Sequence, residues 1–132
     1  MSSDASQKAA EILLQRQEAH DTLLGFTTFT FPKFLVAEHH KLICDRLQAV
    51  EAGDINRLMI FMPPRHGKSE LASRRFPAWF MGRNPDSSII HASYGQELAT
   101  DFGRDVREIV NSDEYAKVFE GKKLSQDATA AN

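Results

Sequence analysis

The stretch Arg57-Leu-Met-Ile-Phe-Met62, followed by Pro-Pro-Arg-His-Gly67-Lys68-Ser69-Glu70, constrains this chain more than any other. A nearly all-apolar run stops at two prolines, and a helical period takes over at Lys68. Strand, short loop and helix start, in that order, form the setting of a nucleoside triphosphate site. Gly67 lets the backbone pass close to a phosphate and aim N–H groups at it. Lys68 can reach the β and γ phosphates, and the Ser69 hydroxyl can hold Mg²⁺. The positive end of the helix dipole adds to both. His66 offers a backbone N–H to phosphate, and Glu70 is a first-turn acid favoured by the same dipole. The usual pattern carries a further glycine five positions before Gly67; here that position is Met62.

The rest of the chain is read around this loop. With 132 residues it is one domain or part of one, long enough to bury a core. A net charge of −2 points to neither nucleic acid nor membrane. Arg65, Lys68, Arg74, Arg75 and Arg83, opposed only by Glu70 over that span, form a local basic segment. It suits nucleotide phosphate, DNA phosphate or a solvated helix face. The lone Cys44 excludes an internal disulfide and fits a reducing compartment. No apolar run approaches the ~18 residues that cross a bilayer. The five histidines lack zinc-ligand spacing.

Helices are expected over Ala5–Leu24, ending at Gly25, and over Val36–Ala52, where Val36, His40, Ile43, Leu47 and Val50 share a face. Phe26–Phe34, with Pro32, reads as an extended connection. Arg57–Met62 and Ser88–Ser93 read as buried strands. A helix from Lys68 towards Met81 must kink or break near Phe76, because Pro77 lies inside it. Gln96–Val110 is amphipathic, and Ser112 or Asp113 caps a last short helix through Phe119. Gly121–Asn132 has no strong pattern. The order strand, helix, strand, helix predicts an α/β protein with an incomplete parallel sheet and flanking helices.

Four ordered blocks resemble the large subunit of tailed-phage terminases, the ATP-driven motors that package viral DNA into procapsids. They are Met62–Glu70, Ser73-Arg-Arg-Phe-Pro-Ala-Trp79, Ala92-Ser-Tyr-Gly-Gln-Glu-Leu-Ala99 and Asp101-Phe-Gly-Arg-Asp-Val-Arg107. The resemblance runs from about Phe29 to the end of the chain, and the family tolerates a first loop residue other than glycine. It implies a P-loop ATPase of motor type: residues 1–55 a helical segment before the core, residues 56–132 part of the ATPase domain. It implies ATP and Mg²⁺ as cofactors, bound by Arg65, His66, Gly67, Lys68, Ser69 and Glu70, with Ser69 on the metal. Lys68 and Arg65 take the catalytic roles, Arg65 sensing or stabilising the γ-phosphate. His39 and His40 fall where the family often carries a pair touching adenine, although His40 also sits on the apolar face of its helix.

The family's second motif, a strand ending in paired acids, does not follow either apolar run, and the nuclease carboxylates are absent too. The chain is therefore expected to be an N-terminal fragment that binds ATP without hydrolysing it. In the whole protein its partners are double-stranded DNA, the terminase small subunit and the portal, with no membrane, in the cytoplasm of a bacterial host. The alternatives are a small self-contained P-loop nucleotide-binding enzyme and a non-functional prophage remnant.

Overall fold

A computed structural model describes residues 2–120, and residues 121–132 lie outside the described part. The described residues form α1 (Ser2–Asp21), α2 (Leu23–Thr30), α3 (Glu38–Ala52), a π-helical segment (Glu70–Arg75), α4 (Phe76–Arg83), α5 (Gln96–Val110) and α6 (Asp113–Val118). None of these helices is long and apolar enough to cross a membrane.

The first helix ends before the sequence suggests. The Thr22 hydroxyl donates back to the Glu18 carbonyl at 3.0 Å, and its oxygen accepts from the Gly25 N–H at 3.0 Å. Thr22 thus caps α2, and Phe26 to Thr30, read from sequence as extended, are helical. Gly25 lies inside α2 rather than ending α1, and a Cβ there would come within 2.7 Å of the Glu18 carbonyl. The Leu23 N–H, which has no partner within its own first turn, donates to Gln48 Oε1 of α3 at 3.0 Å.

α3 begins at Glu38, leaving Val36 outside it, and ends at Gly53 with φ 86°, a left-handed C-terminal stop. α5 spans the expected Gln96–Val110, with Phe102, Val106 and Ile109 buried. Ser112 caps α6 through its hydroxyl, which accepts from the Tyr115 N–H at 3.2 Å.

The helix opening at Lys68 widens into π-helix over Glu70–Arg75 and returns to α at Phe76. Pro77 is the cause. It has no N–H for the Ser73 carbonyl, and its ring crowds that carbonyl. A wider turn, with the Phe76 N–H on the Leu71 carbonyl, absorbs both problems without breaking the helix.

Leu23 and Phe26 from α2, Cys44 from α3, Leu71, Trp79 and Tyr115 are almost fully buried in one core. Burying each large apolar side chain contributes ~1.5–3 kcal/mol. The polar atoms of the two largest core side chains are partnered. Tyr115 Oη–H donates to the Ala78 carbonyl at 2.8 Å, and Trp79 Nε1–H donates to the His20 carbonyl at 3.1 Å.

The expected parallel sheet is not there: no described residue lies in a strand. The α/β, P-loop-type fold class is therefore corrected to an all-helical one for residues 2–120. The two apolar runs are present but unpaired. Among the described residues, no backbone hydrogen bond is made by residues 57–62 or 88–93. Along the first run burial alternates, with Leu58, Ile60 and Met62 packed on the core while Met59 and Phe61 are 82% and 87% exposed. That is the period of an extended chain covered on one side, not of a strand covered on both. A ladder needs a second chain segment in register, and neither run finds one among the described residues.

Candidate phosphate-binding loop

Residues 62–70 form a concavity of about 420 Å³ where the chain leaves the apolar run and enters the helix. Met62, Pro63, Pro64, Arg65, Gly67, Lys68, Ser69 and Glu70 line it, so the loop closes around its own hollow. Two residues in the left-handed region make the turn: Arg65 with φ 64° and Gly67 with φ 85°. The second is the natural place for glycine, while the first is uncommon for a side chain as large as arginine. The helix follows at once, since the Leu71 N–H donates to the Gly67 carbonyl at 3.0 Å.

The cations of the basic segment divide into two groups. Arg74, Arg75 and Arg83 are held within the molecule rather than forming a solvated face. Arg74 Nε meets Asp105 Oδ2 at 2.7 Å, and its guanidinium lies 4.9 Å over the Phe102 ring. Arg75 Nε meets Glu70 Oε1 at 2.7 Å, its Nη1 donates to Thr30 Oγ1 at 3.0 Å, and Phe31 lies 5.1 Å away. Arg83 pairs with Glu51 at 2.9 Å and covers Trp79 at 5.0 Å. Arg65 and Lys68, by contrast, have no ion-pair or hydrogen-bond partner among the described residues, and both line the hollow. Ser69 is likewise without a side-chain partner there.

Glu70 is the only acid lining the hollow among the described residues, and Arg74 and Arg75 both engage its carboxylate. It acts as the hub of an ion-pair network, a role that five-residue spacing to Arg75 on an ordinary α-helix would not reveal. The π-turn makes that contact reachable.

The histidines meet at the same loop. The His66 carbonyl accepts from His39 Nε2 at 3.0 Å and from His40 Nε2 at 2.7 Å. His66 Nδ1 donates to the Pro64 carbonyl at 2.9 Å. His40 is buried, with its Nδ1 accepting from the Ala37 N–H at 3.0 Å and its ring centroid 4.7 Å from that of Phe34. Both of its ring nitrogens are therefore used within the fold. His39 is exposed and borders a second hollow of about 250 Å³, lined by Leu42, Ile43, Arg46 and residues 58–62.

The residues present fit a polyphosphate: a close-approach glycine, two uncommitted cations and a helix start face one cavity. Mg²⁺ would have Ser69 as its protein ligand there. No group of three or more His, Cys, Asp or Glu that could hold a metal occurs among the described residues. A magnesium ion that takes its other oxygens from phosphate and water needs no such group.

Comparison of the chain with protein-family models, with curated proteins and with solved structures found no match in any of the three.

Proposed function

We propose that the chain is a nucleoside triphosphate-binding protein whose phosphate site is the loop Arg65–Ser69. More particularly, its four sequence blocks favour the ATP-binding part of a tailed-phage terminase large subunit. The observation that carries the reading is the division of the cations. Arg74, Arg75 and Arg83 are paired internally, while Arg65 and Lys68 have no partner among the described residues and line a cavity. The Gly67 turn and the helix that follows supply backbone donors beside them. The reading rests on this loop and requires no sheet.

In this proposal Lys68 neutralises the β and γ phosphates, Arg65 grips the terminal phosphate with its fork of donors, and Ser69 holds Mg²⁺. Glu70 acts through the arginines it orders. His39, exposed and lining the hollow next to the loop, is the better placed of the two histidines for an adenine ring. DNA, the small subunit and the portal, and a bacterial cytoplasm, come with the terminase reading alone.

The chain should bind nucleotide without turning it over. Phosphoryl transfer depends on a group that positions the attacking water, and the one acid at the hollow is held by two arginines. The test is titration of a fluorescent ATP analogue with Mg²⁺, with phosphate release followed in the same tube. Lys68→Ala should weaken binding roughly 10- to 150-fold, the loss of a charge-assisted contact of ~1.5–3 kcal/mol. Equal affinities for wild type and Lys68→Ala would refute the site. Release of phosphate that depends on Lys68 would instead favour a self-contained nucleotide-binding enzyme.

A further inference from the structure

We propose that His40 is a positioning residue for the phosphate loop, setting the direction of the Gly67 N–H by holding the His66 carbonyl. The inference rests on the phosphate-site reading and assigns His40 a task other than contact with adenine.

The tautomer follows from the partners. A carbonyl oxygen only accepts, so His40 Nε2 carries the proton that reaches His66 at 2.7 Å. The Ala37 N–H only donates, so Nδ1 is bare. The second bond is half of a capping box, in which a side chain of the first turn returns to the N-cap N–H. It fixes the ring on α3, and the Phe34 ring packs beside it. The first bond spans 26 residues and ties α3 to the loop. His39 Nε2 adds a second donor to the same oxygen at 3.0 Å.

The consequence lies in the next peptide unit. In a trans peptide the C=O and the following N–H point in opposite directions. Drawing the His66 carbonyl towards α3 therefore turns the Gly67 N–H away from α3, where a phosphate oxygen can accept it. The ring packs so closely that a Cβ on Gly67 would come within 2.7 Å of His40 Nε2. The glycine thus serves two needs: a left-handed turn and room for the imidazole that sets it.

The experiment uses the ¹⁵N-labelled chain, with long-range ¹H–¹⁵N spectra of the histidine rings, the Gly67 amide signal, and titration with a fluorescent ATP analogue and Mg²⁺. Wild-type His40 should show a protonated Nε2 and a bare Nδ1. His40→Leu should move the Gly67 amide signal and weaken analogue binding about tenfold, in line with one lost anchoring hydrogen bond. His40→Gln places an amide N–H near the position of Nε2, and should restore the Gly67 signal and bring affinity within about threefold of wild type. An unmoved Gly67 signal and unchanged affinity in His40→Leu would overturn the proposal. So would a wild-type His40 protonated on Nδ1, which can be read even if the variants do not fold. If wild type binds no analogue but the Gly67 signal moves in His40→Leu and returns in His40→Gln, the anchor stands and the nucleotide reading falls.

Discussion

Arg75 Nε lies 2.7 Å from Glu70 Oε1, a contact across the π-helical segment between two largely buried side chains. On an α-helix, residues five apart do not face one another. The wider turn that precedes Pro77 brings them together. It also secures the helix that leaves the loop 62–69, because Arg75 continues to Thr30 on α2.

Arg75→Met should therefore destabilise the protein by roughly 2–3 kcal/mol, since it leaves a shielded carboxylate with less compensation and removes the tie to α2. Glu70→Gln should cost less, because an amide oxygen still accepts from Arg75. Urea unfolding followed by Trp79 fluorescence measures both. A change of under about 0.5 kcal/mol for Arg75→Met, the usual range of an unimportant surface substitution, would show that the network contributes little.

Gly53 and Gly67 form an internal comparison. Both have left-handed φ, 86° and 85°, but a Cβ on Gly53 meets nothing within 4 Å, whereas one on Gly67 strikes His40. Gly53→Ala should cost about 1 kcal/mol, from backbone strain alone, and leave nucleotide affinity unchanged. Gly67→Ala should cost more and also weaken binding of the ATP analogue. Identical stability losses with identical affinities would mean that the contact with His40 is easily relieved.

Alkaline pH should weaken the fold through two core groups. Burial, helped by the Asp45 carboxylate, pushes the Cys44 thiol from 9.0 up to about 12, and burial pushes the Tyr115 hydroxyl from 10.0 up to about 12. The unfolded chain releases these protons first, so it binds fewer protons than the folded one across this interval. Stability is accordingly complete below about pH 9 and declines towards pH 12, by up to ~1.4 kcal/mol per pH unit for each proton. Cys44→Ala should flatten the early part of that decline in denaturant titrations repeated at successive pH values. A slope unchanged by the substitution would remove Cys44 from the account.

The unpaired run 57–62 should make the protein prone to self-association. Met59 and Phe61 project into solvent from a segment whose backbone groups have no partner among the described residues, a surface of the kind that templates edge-to-edge contact. Phe61→Ser should raise the concentration at which light scattering first reports aggregates and leave the helical circular dichroism unchanged. If the threshold does not move, association proceeds through another surface.

Local chemistry was readable in the residues themselves. Gly67 before Lys68 announced a turn into a helix, Gly53 a helix stop and Ser112 or Asp113 a cap, of which the fold uses Ser112, because each depends on the backbone within a few positions. The periodicity of Gln96–Val110 gave that helix its span for the same reason. Pro77 disclosed a disturbance near Phe76 but not its form. A kink, a break and a π-turn all relieve the missing N–H, and the folded helix takes the wider turn.

Legible in the residues alone were particular helix stops and starts and the loop side chains with the chemistry for phosphate, but not the helical Phe26 to Thr30. The remainder depends on contacts between residues far apart in the chain. The apolar runs 57–62 and 88–93 carry strand-like side chains, yet a strand exists only if another segment pairs with it, and pairing is a property of distant residues. Whether a cation is free is equally non-local. Arg75 and Lys68 look alike in sequence, and Thr30, Phe31 and the π-turn bring one of them into the fold while the other is left at the hollow. His40 follows the same rule: its place on an apolar face was visible, but its bond to a carbonyl 26 residues away required the folded chain.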